Sequence, residues 1–455
     1  MNAFRRSTRN NHLTVALVVF SALVLQTALG AEKPIRFAEG LTQLLKNNAK
    51  ILESKAQILS FEALKTEASA SDLPTFSLLT YVAPIYEVRG DATKSTDNFS
   101  KWGPFIHGEL QVVYPVFSFG RIKDAKQAAS HAVEGGRLLH ESQINRSVFE
   151  YKQLYMQIIL LQRLKTVLDD ANEKMKTVLT RAEKLYKKGT GEVQRKDLTR
   201  LKLFDLELQR FQAEWVANKK TAGLALGHFL GKKESLLVLE SDFPKIEDAT
   251  RALEQLIAEA HKINPDLKAV AQGMQARRHQ VEMEKGGNLP VLFVAGRADM
   301  NYTAMRDYQQ STYAFDPFNR NIFAVVFGAK WDLDFGGTKA KTQKAEAELE
   351  KMQAKQSEAE TGIPLKIAMA MWDFEKQKVQ MEITQNKYKE ANKWSLSEMT
   401  AYTTGTGSAK DLIEALGAQL LVEKELAETE YNLCLAAAKL AMEIGDQGTL
   451  KAWRE

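Results

Sequence analysis

Asp411 and Glu414 are the side chains whose type and spacing promise most. They stand three residues apart where a helical stretch begins, so they share one helix face. In an assembly of several chains they would stack as two acidic rings at a helical mouth. Such rings attract cations and raise one another's cost of ionisation, which makes a selectivity constriction. Acids in a first helical turn also suit the helix dipole, so the pair has a purely local reading as well. Little other chemistry is visible. His12, His107, His131, His140, His228, His261 and His279 show no metal-binding spacing, and there is no H-E-x-x-H. Gly405-Thr406-Gly407-Ser408-Ala409-Lys410 lacks the preceding strand and the Gly-Lys-Ser/Thr ending of a phosphate loop. Nothing pairs a nucleophile with a base. The expectation is no enzyme, no cofactor and no metal.

The elements that hold these acids follow from an internal repeat. Leu73-Pro74 recurs as Leu289-Pro290, Phe119-Gly120 as Phe335-Gly336, Tyr186 as Tyr402 and Gly189 as Gly405, each pair 216 residues apart. Lys196-Asp197-Leu198 and Lys410-Asp411-Leu412 are 214 apart, so the first copy carries two extra residues in its turn. A constant offset over so long a span indicates duplication.

Each copy runs in one order. A helix over 35–72 or 251–287 stops before Pro74 or Pro290. Strands follow: Ile106, Gly108, Leu110, Val112, Tyr114 and Val116 alternate with His107, Glu109 and Gln111. Leu292, Val294, Ala298, Met300 and Tyr302 likewise alternate with Arg297, Asp299 and Asn301. Segments 76–88 and 321–333 supply hairpin partners, the first interrupted by Pro84, with polar loops over 89–103 and 303–320. Helix then continues for some 65 residues, on the order of 100 Å, with apolar steps of three and four through Tyr151, Tyr155, Ile158 and Leu161. Gly-Thr-Gly turns at 189–191 and 405–407 reverse the chain into return helices.

The ends and composition set the compartment. Arg5, Arg6 and Arg9 precede an apolar run from Leu13 to Leu25, and Ala28 and Gly30 are the small residues of a cleavage site, placed between Gly30 and Ala31. The lone cysteine, Cys434, is far from that site and sits among alanines as a packing residue. With 44% hydrophobic and 26% charged residues and no apolar helix of spanning length beyond the leader, any membrane crossing must be β. The net charge of +5 is dispersed, which argues against nucleic-acid binding. Strands of this length suit a tilted membrane crossing, their apolar faces toward lipid and Glu109, Gln111, Arg297 and Asp299 toward a wet lumen. Four strands close no barrel, so several chains must share one; about eight are the least that close.

Tyr114-Pro115-Val116-Phe117-Ser118-Phe119-Gly120-Arg121, Asn264-Pro265-Asp266-Leu267, and Tyr402 with Gly405 ahead of Asp411-Leu412-Ile413-Glu414-Ala415 resemble the TolC family of outer-membrane efflux proteins. The resemblance implies a homotrimer forming a 12-strand β-barrel in outer-membrane lipid, continued by a long periplasmic α-helical barrel. It implies a periplasmic adaptor (membrane fusion) protein docking at the turns marked by Gly189, Gly191, Gly405 and Gly407, with an inner-membrane RND or ABC transporter behind it. Asp411 and Glu414 match the family's pore constriction, and Asp197 and Tyr402 its gate-tip contacts. The family often has a basic residue where Gly407 stands, a place that Arg195, Lys196, Arg200 or Lys410 could fill. The second copy also departs at Trp331-Asp332-Leu333-Asp334-Phe335, which has no proline, and at Gly337 in place of Arg121.

The resulting expectation is an α+β membrane protein built of a duplicated helix, β-hairpin and long-helix unit. Its parts are a signal peptide (1–30), a first repeat (31–230; strands 76–117, long helices 121–229), a linker (231–250), a second repeat (251–445; strands 291–334, long helices 337–444) and a C-terminal tail (446–455). It would serve as a passive exit duct of an efflux pump or type I secretion system, at the outer membrane of a Gram-negative bacterium. The alternative is a periplasmic coiled-coil structural or adhesion protein with no pore.

Overall fold

The structure, a computed structural model, describes residues 33–91, 93–189, 193–233, 236–238, 240, 242–246, 251–309, 313 and 315–446. The leader, Gly191 and nearly all of the C-terminal tail lie outside the described residues. The chain divides into two compact units. One takes the described parts of Met1–Lys55, Leu139–Asp266 and Glu360–Glu455, the other Ala56–Leu138 and Leu267–Ala359.

The duplication is visible in the element bounds. The first copy runs β1 (Lys33–Ile35), α1 (Phe37–Asn47), α2 (Ala49–Ala70), β2 (Thr75–Gly90), β3 (Ser95–Phe117), α3 (Arg121–Lys188) and α4 (Arg195–Phe229). After β4 (Leu236–Val238), the second runs α5 (Leu253–Ile263), α6 (Pro265–Lys285), β5 (Val291–Thr303), β6 (Asn321–Lys330), α7 (Gly337–Thr404) and α8 (Ala409–Ile444). The long helices α3 and α7 are each 68 residues and start 216 apart, so the sequence offset reappears in backbone geometry.

Four expectations are corrected. The helices expected over 35–72 and 251–287 are each broken once, at Asn48 and Asn264, whose backbones are extended. In both, the side-chain carbonyl accepts a backbone N–H of the next helix, from Lys50 at 3.1 Å and Asp266 at 2.9 Å, so each asparagine ends one helix and caps another. Residues 95–103 are strand rather than loop, and β2 passes Pro84 without a break because Pro84 faces Pro104. Opposed residues in an antiparallel ladder exchange two bonds or none, and two prolines fit the position that exchanges none. Finally, part of the expected linker is structural: Leu236, Leu237 and Val238 pair in parallel with Lys33, Pro34 and Ile35. At its other end the second hairpin closes earlier than expected, β6 stopping at Lys330.

In the first unit, the core below that short ladder holds the fully buried Leu44, Tyr151, Tyr155, Leu226 and Leu230. Tyr151 donates to the Phe37 carbonyl at 2.9 Å, while Tyr155 and the Phe37 backbone N–H both donate to Glu240. Buried hydroxyls thus find acceptors where the chain enters α1.

The second unit carries one antiparallel sheet in the order β2-β3-β5-β6. Register puts Leu78 opposite Leu110, Val82 opposite Ile106 and Ile106 opposite Tyr302. It also sets Ala298 opposite Phe323 and Val294 opposite Phe327. One face of the sheet is therefore continuously apolar across all four strands, and most of it is exposed, Phe327 at 81% and Phe323 at 77%. The other face carries a polar stripe, with Gln111 opposite Arg297, Glu109 opposite Asp299 and His107 opposite Asn301.

Candidate functional site

The helix-turn-helix tips form within the first unit, where all four long helices meet. Met175, Val178, Ala182, Val193, Leu201, Leu208, Tyr402, Leu412, Leu416 and Leu420 make one buried cluster there. The tips of the two repeats are therefore anchored in a common apolar core, and the polar residues are set around it.

Gly405 and Gly189 end α7 and α3 with positive φ, +85° and +70°. Thr406 N–H donates to Ala401 O at 2.9 Å and Gly405 N–H to Tyr402 O at 3.3 Å, the bond pattern of a left-handed helix cap. Gly189 N–H repeats the second bond, to Tyr186 O at 3.2 Å. Gly407 is constrained differently: its N–H also reaches Ala401 O, and an added Cβ would lie 2.9 Å from both the Ala401 Cβ and the Tyr402 backbone nitrogen. A side chain at this position would meet the last turn of α7.

Asp411 sits in the first turn of α8. Its backbone N–H donates to Ser408 Oγ at 3.1 Å, and that hydroxyl donates back to Asp411 Oδ2 at 2.7 Å. Ser408 is thus the N-cap of α8, and Asp411 lies in the first turn, where the helix dipole favours an acid. Asp411 and Glu414 are both exposed, while Leu412 and Ala415 of the same turn are buried, and Lys410 Nζ lies 3.8 Å from Glu414.

Asp197 has the same place in α4: it accepts from the Gln194 N–H at 3.1 Å and lies 3.7 Å from Arg200 Nη1. Tyr402 is 7% exposed, and its hydroxyl has no hydrogen-bond partner among the described residues. Burial raises the pKa of that hydroxyl; the nearby Arg181 charge works against the shift and Asp197 adds to it. Asp197 and Tyr402 are thus neighbours electrostatically, without a bond between them. Arg181, which no sequence pattern singled out, donates to the Thr403 carbonyl at 2.5 Å and ties α3 to the last turn of α7. Of the nominated basic residues, Arg200 and Lys410 pair within their own helices.

The second unit also brings together a set that spacing alone did not show. His107, Glu109 and Asp299 offer donor atoms all within 4.8 Å of one another, because Glu109 and Asp299 are directly opposed in register.

Residues 256–446 match the family model described as outer membrane efflux protein. That stretch, under half of the chain, is similar to the outer membrane efflux proteins. The match covers nearly all of the second repeat, including both tip acids, Asn264-Pro265-Asp266-Leu267 and Tyr402 with Gly405. No curated protein matches the chain. The fold is similar to the CmeC outer membrane channel of Campylobacter jejuni (TM-score 0.74, 12% identity, 92% of this chain and 89% of that one). VceC, an outer membrane protein of Vibrio cholerae, gives 0.72, 14%, 90% and 95%. MtrE, an outer membrane channel of Neisseria gonorrhoeae in its open state, gives 0.69, 13%, 90% and 88%. The chain therefore has a fold similar to that of these outer-membrane channels over about nine-tenths of its length. Among the described residues no helix is long and apolar enough to cross a membrane.

Proposed function

We propose that the chain is the passive outer-membrane exit duct of a tripartite efflux pump or type I secretion system. It resides in the outer membrane of a Gram-negative bacterium, reaches into the periplasm and is gated at its helical tips. The observation that carries this reading is the four-stranded sheet. One face is apolar and mostly exposed, the other holds charged and amide side chains, and β2 and β6 are left as edges. In hydrocarbon an unpaired edge exposes backbone groups at several kcal/mol each, so spanning strands are found in closed barrels. Further copies of the chain supply the missing pairing: β6 of one meets β2 of the next, and three copies give twelve strands.

With no coupling chemistry of its own, the duct takes its energy from a periplasmic adaptor and an inner-membrane RND or ABC transporter. The adaptor docks at the Gly189 and Gly405 turns. Asp411 and Glu414 ring the entrance, and Tyr402 and Asp197 meet the neighbouring coil when it is shut. Extraction of a heat-resistant oligomer that requires detergent and conducts in planar bilayers is the expected result. A water-soluble monomer without conductance would instead favour the pore-free coiled-coil reading.

A further inference from the structure

His107 and Glu109 project from β3 to the polar face of the sheet, and Asp299 projects beside them from β5. His107 Nδ1 lies 2.5 Å from Asn301 Oδ1, an oxygen that can only accept. The Nδ1 proton is thereby fixed, and the Nε2 lone pair is left facing Glu109 Oε2 at 3.8 Å. An outer hydrogen bond that sets the tautomer and holds the ring is how proteins orient a metal-ligating histidine. Arg297 completes the group: its Nε is 3.0 and 2.9 Å from the two Asp299 oxygens, and its Nη2 is 3.2 Å from Glu109. The carboxylates are therefore held by a cation already. That cation is replaceable, because the Arg297 side chain is 53% exposed while Asp299 is 8% exposed.

We propose that His107, Glu109 and Asp299 form a binding site for a divalent transition-metal cation, with Arg297 as the side chain the metal displaces. One imidazole and two carboxylates suit borderline cations such as Zn²⁺ or Co²⁺ better than Mg²⁺ or Ca²⁺, which prefer all-oxygen sets. Donor atoms sharing a metal at about 2.0–2.2 Å stand roughly 3 Å apart. The 4.8 Å span closes when Glu109, with three side-chain torsions, turns toward Asp299. Once Arg297 swings away, two carboxylates and a neutral imidazole balance the charge of the ion. Half-exposed ion pairs contribute little, so the displacement is modestly opposed. The inference rests on the reading of this face as water-lined, since the cation must reach it from solution.

The test uses the full tag-free chain in detergent, titrated with Co²⁺ and followed by its visible absorption. Arg297→Gln is expected to tighten binding at least tenfold, to about one ion per chain. Adding His107→Ala, or separately Glu109→Gln, is expected to reverse that gain at least tenfold. No gain in Arg297→Gln, or a gain that survives loss of His107, overturns the site. If Arg297→Gln does not assemble, His107→Ala alone must weaken Co²⁺ binding tenfold, and unchanged binding overturns the proposal; if His107→Ala fails, Glu109→Gln takes its place. Planar-bilayer conductance of the same preparations separates the two readings. A conducting chain without His107-dependent binding removes only the metal site, and a metal-binding chain that never conducts removes the duct.

Discussion

Asn48 donates its side-chain amide to the Phe229 carbonyl at 3.0 Å, and its counterpart Asn264 donates to Glu443 O at 2.8 Å. The asparagines are 216 residues apart and their acceptors 214, so the two offsets read from the sequence meet in one pair of bonds. Each asparagine ties the break between two short helices to the end of a long return helix. Asn48→Ala leaves Phe229 O and the N–H of the buried Ile51, which donates to Asn48 Oδ1 at 3.3 Å, without these partners, and is expected to cost about 1–3 kcal/mol. Asn264→Ala should cost a similar amount. Urea unfolding of each variant measures this, and a change below about 0.5 kcal/mol in both would mean that the clamps are incidental.

Gly407→Arg supplies the basic residue that the resemblance implies at this place, yet it is expected to damage the turn rather than lock it. A side chain there meets the Tyr402 backbone nitrogen, which cannot rotate away. Overpacking of this kind costs roughly 1–3 kcal/mol. Faster limited proteolysis near 400–410 and larger or noisier single-channel currents are the expected readouts. An intact turn with reduced current would show that the position tolerates a latch.

Asp411→Ala with Glu414→Ala is expected to raise single-channel conductance and weaken the dependence on divalent cations. Because Asp411 also accepts from the hydroxyl of Ser408, the N-cap of α8, Glu414→Ala alone is the cleaner probe, and it should show part of the effect with no loss of stability. Unchanged conductance and cation sensitivity in the double variant would leave the acids with their capping role only.

Much of this organisation was legible because it rests on period and repetition. Long helices and alternating strands declare themselves over many residues, and duplication doubles the signal. What escaped was set by single contacts. The break at Asn264 was hidden inside a helical composition, though Pro265 stood beside it. Pro84 argues against a strand until Pro104 is known to face it. Arg181 and the grouping of His107 with Asp299 depend on which helix or strand lies alongside, which spacing along one chain does not encode.

Tyr402→Phe is expected to leave folding unchanged or stabilise it by up to about 1 kcal/mol, because the hydroxyl is buried without a partner among the described residues. The duct reading adds a second outcome. If the hydroxyl bonds to a neighbouring coil in the closed assembly, the variant opens more often in bilayers while its unfolding midpoint does not fall. A drop in stability of several kcal/mol would place the hydroxyl in a bond within the chain and contradict its isolation.

Lys152 is 5% exposed in the first unit, and burial pushes its amine from the usual 10.5 down to about 8, against the opposing charge of Asp446. Between about pH 8 and 10.5 the unfolded chain therefore holds this proton while the folded chain has released it. Stability contributed by this site rises with pH through that window and levels off above it. At neutral pH the folded state carries a buried ammonium, which is unfavourable. Lys152→Met is accordingly expected to raise stability at pH 7 and to remove the rise. The other lysines titrate in both proteins, so the quantity that decides is the difference between their urea midpoints at pH 7, 9 and 10.5. A difference that shrinks as pH rises supports the buried amine, and parallel curves would show that Lys152 stays solvated.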